Sequence, residues 1–306
     1  MVKRFLPIFV VGTSISRVDF YIFGFGVLIN STTFIIFFTV LYYLMVQGKK
    51  GKKIFLTIMS LVALGSYFLL LQRFQIVMAA LICFTLLYYA TRHIRLRTIL
   101  IISLCVVAVF FWISSLRWRH LLGMYIYSTA KMNVSIDYAL LAEPYMYVVM
   151  NLENFARSVN RLDHFTYGYF TFDFITAITG LKYWINEYFS LDRTPFLNSG
   201  YNTYTAFWSF YRDFGVLGLA LIPSILGFGS GTLYYQMRSK PTIKSVTAYG
   251  VMLFVIVISF FAFPIAFLWF EYNMLALYLI LRWAMISKKG YAQSPVASEQ
   301  SYGMNL

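Results

Sequence analysis

Acidic residues are scarce in this chain. It has 306 residues with only 11 Asp and Glu, against 25 Lys and Arg. Charged residues make up 12%, where an average soluble domain has about 25%. Cysteine is nearly absent too. Cys83 and Cys105 both fall inside apolar runs and read as small buried apolar residues, which excludes a disulfide scaffold. The three histidines, His93, His120 and His164, do not combine with cysteines in any zinc-ligand spacing. No glycine-rich phosphate cradle is present. The GFGSG stretch (227–231) lies within an apolar run and reads as helix-packing glycine, so a nucleotide-driven pump is disfavoured. Charges inside the apolar runs are few, with Glu271 the main one, which disfavours ion-coupled transport through charged relays.

Hydrophobic residues dominate instead, at 60% of the chain with a mean hydropathy of +0.70. Several apolar runs approach or exceed the roughly 18–20 residues that cross a bilayer core. Spans are read at 5–16, 27–46, 54–72, 74–91, 98–116, 214–235, 246–263 and 265–286, the first of them short. The expected fold is therefore all-α, a polytopic membrane protein of about eight transmembrane helices. Residues 1–289 form a single transmembrane domain in this reading, and 290–306 form a polar, disordered tail. No cleavable signal peptide is read, and inserted spans would not need one.

The net charge of +14 first suggests nucleic acid, but its distribution says otherwise. Fifteen of the 25 basic residues lie at Lys3-Arg4, Lys49–Lys53, Arg92–Arg97, Arg238–Lys244 and Arg282 with Lys288-Lys289. These are alternate ends of the apolar runs, the positive-inside pattern of a membrane protein with both termini in the cytoplasm. The partner is a lipid bilayer and no nucleic acid is expected. Gln72-Arg73 breaks the 54–91 run into a helical hairpin, and Pro264 marks a tight outer turn.

Residues 117–213 form one long outer segment with eight basic and eight acidic residues. Unstructured connections longer than about 12–15 residues are usually functional. Residues 136–162 carry apolar positions at helical spacing and read as an interfacial helix. From Phe165 to Tyr211, 17 of 47 residues are aromatic. Rings stack on sugar faces, although Trp and Tyr also gather at membrane interfaces for other reasons.

The outer arginines are Arg73, Arg117, Arg119, Arg157, Arg161, Arg193 and Arg212. A planar guanidinium binds two phosphate oxygens at once. The ordinary reading is that each snorkels or pairs with an acid, as Glu153, Asp163 and Asp192 allow for Arg157, Arg161 and Arg193. Arg73 has no acid near it in sequence. Arg212 and Asp213 adjoin each other where the outer segment re-enters the membrane. Asp213 suits the positive start of that helix, and Gly215 and Gly218 suit close packing. Adjacent helical residues point about 100° apart, so Arg212 is free to face a cavity while Asp213 braces the helix. His120 and His164 are candidate general bases, with Asp137, Glu143, Asp173 and Glu187 as unproven alternatives.

Three stretches together resemble the O-antigen polymerase family of bacterial surface-polysaccharide assembly. They are LLLQRFQIVMAALICFTLLYYATRHIR, EPYMYVVMNLENFARSVNR and NSGYNTYTAFWSFYRDFGVLG. The last carries Tyr201, Asn202, Trp208, Arg212 and Asp213. The resemblance implies a glycosyltransferase of the bacterial inner membrane that joins undecaprenyl-pyrophosphate-linked oligosaccharide repeat units at the outer face. It implies Arg73 and Arg212 on the pyrophosphate, with Arg117 or Arg119 assisting. An outer histidine or carboxylate would orient the attacking hydroxyl, and Tyr201, Asn202, Trp208 and Asp213 would lie along the substrate path. No metal or cofactor is required. A flippase and a chain-length regulator are the implied partners. The family carries more spans than the eight read here. An O-antigen ligase, with an essential outer histidine, and a polysaccharide transporter are the competing readings.

Overall fold

The computed structural model describes residues 30–45, 50–69, 73–91, 97–98, 101, 104–105, 108, 120–162, 164–189 and 204–292. Among them the only regular structure is helix, in agreement with the all-α expectation. The first three helices are α1 (Thr33–Met45), α2 (Lys50–Leu69) and α3 (Arg73–Thr91). Then come α4 (His120–Ala130), a 3-10 turn (Ile136–Ala142), α5 (Glu143–Arg161), α6 (Asp173–Thr179) and α7 (Leu181–Phe189). The chain returns through α8 (Ala206–Ser239), α9 (Ile243–Ile258), a 3-10 turn (Pro264–Ala266) and α10 (Leu268–Ala292).

Among the described residues, two helices, α2 and α8, are long and apolar enough to cross a membrane. Thr33–Met45, Phe74–Tyr89 and Ile243–Ile258 are shorter apolar helices. The expected span at 5–16 and nearly all of that at 98–116 lie outside the described residues. So does the tail beyond Ala292, the end of α10.

Side-chain pairs set the direction of each helix. The Tyr67 hydroxyl bonds Thr32 and Thr33 at 2.8 and 2.7 Å, Ser60 donates to Thr39 at 2.8 Å, and Tyr43 meets Thr57 at 2.8 Å. This ladder makes α1 and α2 an antiparallel hairpin. Helices α3 and α9 also run antiparallel, with Phe74 near Phe261 (6.4 Å between rings) and Tyr89 near Tyr249 (6.0 Å). They approach closely because Gly250 has no side chain: a Cβ there would collide with the Thr85 hydroxyl and lie 3.2 Å from the Ile82 Cα. A capping box between Thr242 and Ser245 starts α9 immediately after Pro241. The shared core includes Phe37, Met78, Ile82, Phe210, Phe254 and Phe270.

The bundle consequently has two unlike ends. One carries Lys50, Lys52, Lys53, Arg238, Lys240 and Lys244. The other gathers the starts of α3 and α8 and the 259–267 turn. There the Ala206 N–H donates to the Ser259 carbonyl at 2.7 Å, and the Phe210 and Phe263 rings are 4.8 Å apart. The turn at Pro264 falls where expected; α3 opens at Arg73, and Gln72 of the expected hairpin tip lies outside the described residues. The helix expected over 136–162 begins as a 3-10 turn and becomes α-helical at Glu143.

Candidate functional site

The site lies at the end opposite the basic loops, and a break in α8 creates it. Gly215 has φ 61° and ψ −145°, a conformation essentially restricted to glycine. In an unbroken helix the carbonyls of Arg212 and Asp213 would accept from residues 216 and 217. The break turns them toward another part of the chain. The Thr166 N–H donates to the Arg212 carbonyl at 3.0 Å, and the Tyr167 N–H donates to that of Asp213 at 3.1 Å. Gly218 is the second requirement, because a Cβ there would overlap the Phe210 carbonyl oxygen. A Cβ on Gly215 would fall 2.9 Å from the Phe165 ring. Alanine at Gly215 should cost about 1–3 kcal/mol from backbone strain.

The 164–172 loop closes over this break. Tyr167 and Gly168 both have positive φ, 48° and 98°, which turns the chain tightly. The turn aims successive donors at the Asp213 carboxylate. Thr166 Oγ1 donates to Oδ1 at 2.5 Å, the Phe170 N–H to Oδ1 at 3.2 Å and the Thr171 N–H to Oδ2 at 2.6 Å. Asp213 is wholly buried. Bonds to a carboxylate are the strong class, each contributing about 1.5–3 kcal/mol. This corrects the expectation that Asp213 braces the start of its own helix. That helix starts at Ala206, and the carboxylate is occupied by a distant loop. Asp213 holds that loop to the helix.

The loop places Phe170 beside Arg212. The guanidinium lies 4.3 Å from the Phe170 ring centre and 5.0 Å from that of Trp208. Trp208 stacks on Tyr204 at 4.3 Å and meets Phe170 edge-on at 5.0 Å. Arg212 is 5% exposed. Desolvated cation–π contacts of this kind are worth about 2 kcal/mol. Three further buried polar atoms belong to this cluster: Thr171 Oγ1, Thr205 Oγ1 and Trp208 Nε1 have no hydrogen-bond partner among the described residues.

The structure thus brings together Arg212, Asp213 and Trp208 of the expected residues. His164 is exposed at the start of the loop that holds Asp213. Arg73 opens α3 at the same end, and His120 opens α4; their side chains lie outside the described set. Arg117, Arg119, Tyr201 and Asn202 also lie outside the described residues. Among the alternative bases, Asp173 is engaged by Lys182 at 2.9 Å and Asp137 accepts from Ser135 at 2.9 Å. Arg157 pairs with Glu153 at 2.9 Å in the ordinary manner expected of it. Thr166, Phe170, Thr171 and Thr205 escaped sequence reasoning. Their one signal was Gly168 within an aromatic run, which hinted at a turn.

No protein-family model, curated protein or solved structure matches the chain.

Proposed function

We propose that this chain is a multi-pass glycosyltransferase of the bacterial inner membrane. It polymerises undecaprenyl-pyrophosphate-linked oligosaccharide repeat units into O-antigen or a related surface polysaccharide. The observation that carries the reading is Arg212, held among aromatic rings and buried polar atoms at the end of the bundle away from the basic loops. With the basic end in the cytoplasm, that cluster faces the outer leaflet, where lipid-linked units arrive. It also falls within the stretch that most resembles the polymerases.

In the proposed reaction, the bond between the anomeric carbon of the growing chain and its pyrophosphate oxygen breaks. A new bond forms from that carbon to a hydroxyl of the incoming unit. The lipid pyrophosphate departs with its electron pair, and the hydroxyl proton passes to a base. Arg212 stabilises the departing anion, and Arg73, Arg117 and Arg119 supply further positive charge. Asp213 keeps Arg212 in place through the loop, and His164 or His120 takes the proton. Tyr201, Asn202 and the aromatic run line the glycan path. About eight spans, both termini in the cytoplasm, and a flippase and chain-length regulator as partners complete the reading.

The exposed His164 beside the site favours one second reading, an O-antigen ligase. Gene deletion followed by electrophoresis of the surface glycan separates the two. A polymerase deletion leaves the core with a single repeat unit, and complementation restores the ladder. A ligase deletion strips the core and accumulates long lipid-linked polymer. An unchanged ladder defeats both. Complementation with Arg212→Ala should give no polymer at normal protein abundance, and a normal chain length would remove Arg212 from the mechanism.

A further inference from the structure

Helices α6 and α7 carry apolar residues that no other described residue covers. Helix α6, DFITAIT, buries none of its residues. Phe172, Ile175 and Ile178 are 45%, 47% and 67% exposed; Leu181, Tyr183 and Trp184, at the start of α7, are 49%, 71% and 77% exposed. A left-handed Gly180 (φ 75°) ends α6 and turns the chain directly into α7. The Lys182–Asp173 ion pair then ties the second helix back to the first. Their relative orientation is therefore fixed, and the exposed rings are presented as one surface.

The placement of this face identifies its occupant. Helix α6 packs against the start of α10 and the Pro264–Ala266 turn. There Leu268, Tyr272 and Leu275 are also exposed, at 38%, 46% and 58%. Exposed apolar residues thus occur on a bundle helix, on α6, which packs against it, and on α7, which packs against α6. At the far end they are rich in Tyr and Trp, the residues that settle at the headgroup level of a bilayer.

We propose that α6 and α7 are a membrane foot, seated in the headgroup region of the leaflet at the site end of the bundle. The foot directly follows the 164–172 loop, so its seating sets the height of Phe170 and Arg212 relative to the lipid surface. The inference rests on the membrane reading of the bundle and not on the transferase chemistry.

The test uses the full chain in phosphatidylglycerol/phosphatidylethanolamine vesicles. Trp184→Cys, Tyr183→Cys and Ile225→Cys are made separately on a background with Cys83 and Cys105 replaced by alanine. Each is labelled with an environment-sensitive fluorophore. Nitroxide lipids then quench from either the headgroup level or the chain terminus. Position 225, 68% exposed on α8, reports the bundle itself. The expected result is a blue-shifted label at 183 and 184, with more fluorescence lost to the shallow quencher than to the deep one. The label at 225 should lose more to the deep quencher. Aqueous emission at 183 and 184 with 225 quenched overturns the foot alone and leaves the face to a glycan or a protein. Aqueous emission at all three positions overturns the foot and the membrane reading together.

Discussion

Helix α8 is two helices with opposite habits, joined at Gly215. Before the break, Ala206, Trp208, Phe210, Arg212 and Asp213 are buried. After it, Val216, Leu217, Leu221, Ile225 and Phe228 are exposed by 59% or more. The contrast extends to hydrogen bonds. In the first part the carboxylate and two backbone carbonyls bond to a loop more than 40 residues away in sequence. In the second, Ser224, Ser230 and Thr232 each donate to the carbonyl four residues back, at 2.6, 2.6 and 2.9 Å. A helix that meets its polar needs internally and displays its apolar side chains is suited to an apolar solvent. A helix that buries an arginine and an aspartate among partners is suited to fixed geometry. One glycine separates membrane-type structure from site-type structure.

The sharpest way to break that contrast is to remove the carboxylate. Asp213→Ala strips three donors of their acceptor and leaves Thr166, Phe170 and Thr171 polar groups buried. The expected loss is on the order of 4 kcal/mol. Thermal melting of the detergent-solubilised protein should show a markedly lower midpoint, with Asp213→Asn intermediate because its amide oxygen still accepts. An unchanged midpoint for the alanine variant would mean the loop is not held by this residue. Second in size is a charge on the other part of the helix. Ile225→Asp should cost about 3 kcal/mol on membrane-insertion scales. Protease protection and carbonate extraction would show a smaller membrane-integrated fraction. Full integration would remove the lipid-facing assignment of this face.

Much of this division was legible in the chain. The apolar run after Gly215, the start of α3 at Arg73 and the turn at Pro264 follow from hydropathy and from breakers, which act locally. Arg212-Asp213 stood out because charge is rare in such surroundings. The partners of Asp213 were not legible, since two of the three donors are backbone N–H groups that every residue other than proline possesses. Only the fold decides which of them meet a carboxylate. Gly218 matched its expected close approach. Gly215 did more than pack: its positive φ breaks the helix, and a φ value leaves no mark in composition. The polar face of α5 was also hidden. Asn151, Asn154 and Ser158 are buried there beside Met146, while the charged Glu153 and Arg161 are exposed.

The smallest expected effects come from hydroxyls, and they sharpen the comparison most directly. Thr166→Val keeps shape and volume but removes the donor to Asp213, so a buried carboxylate oxygen loses one charged hydrogen bond. The expected cost is about 1.5–3 kcal/mol. Ser224→Ala removes a hydroxyl that bonds back to its own helix at Ala220. Such back-bonding adds little to a helix, and alanine is the better helix former, so the change should stay within about 0.5 kcal/mol. Melting the two variants side by side under one detergent condition compares them on one scale. A clear loss for Thr166→Val with no loss for Ser224→Ala would mean that hydroxyls before the break hold tertiary structure and those after it do not. Equal losses would erase the distinction at Gly215, because the same chemical group would then have the same worth on both sides of it.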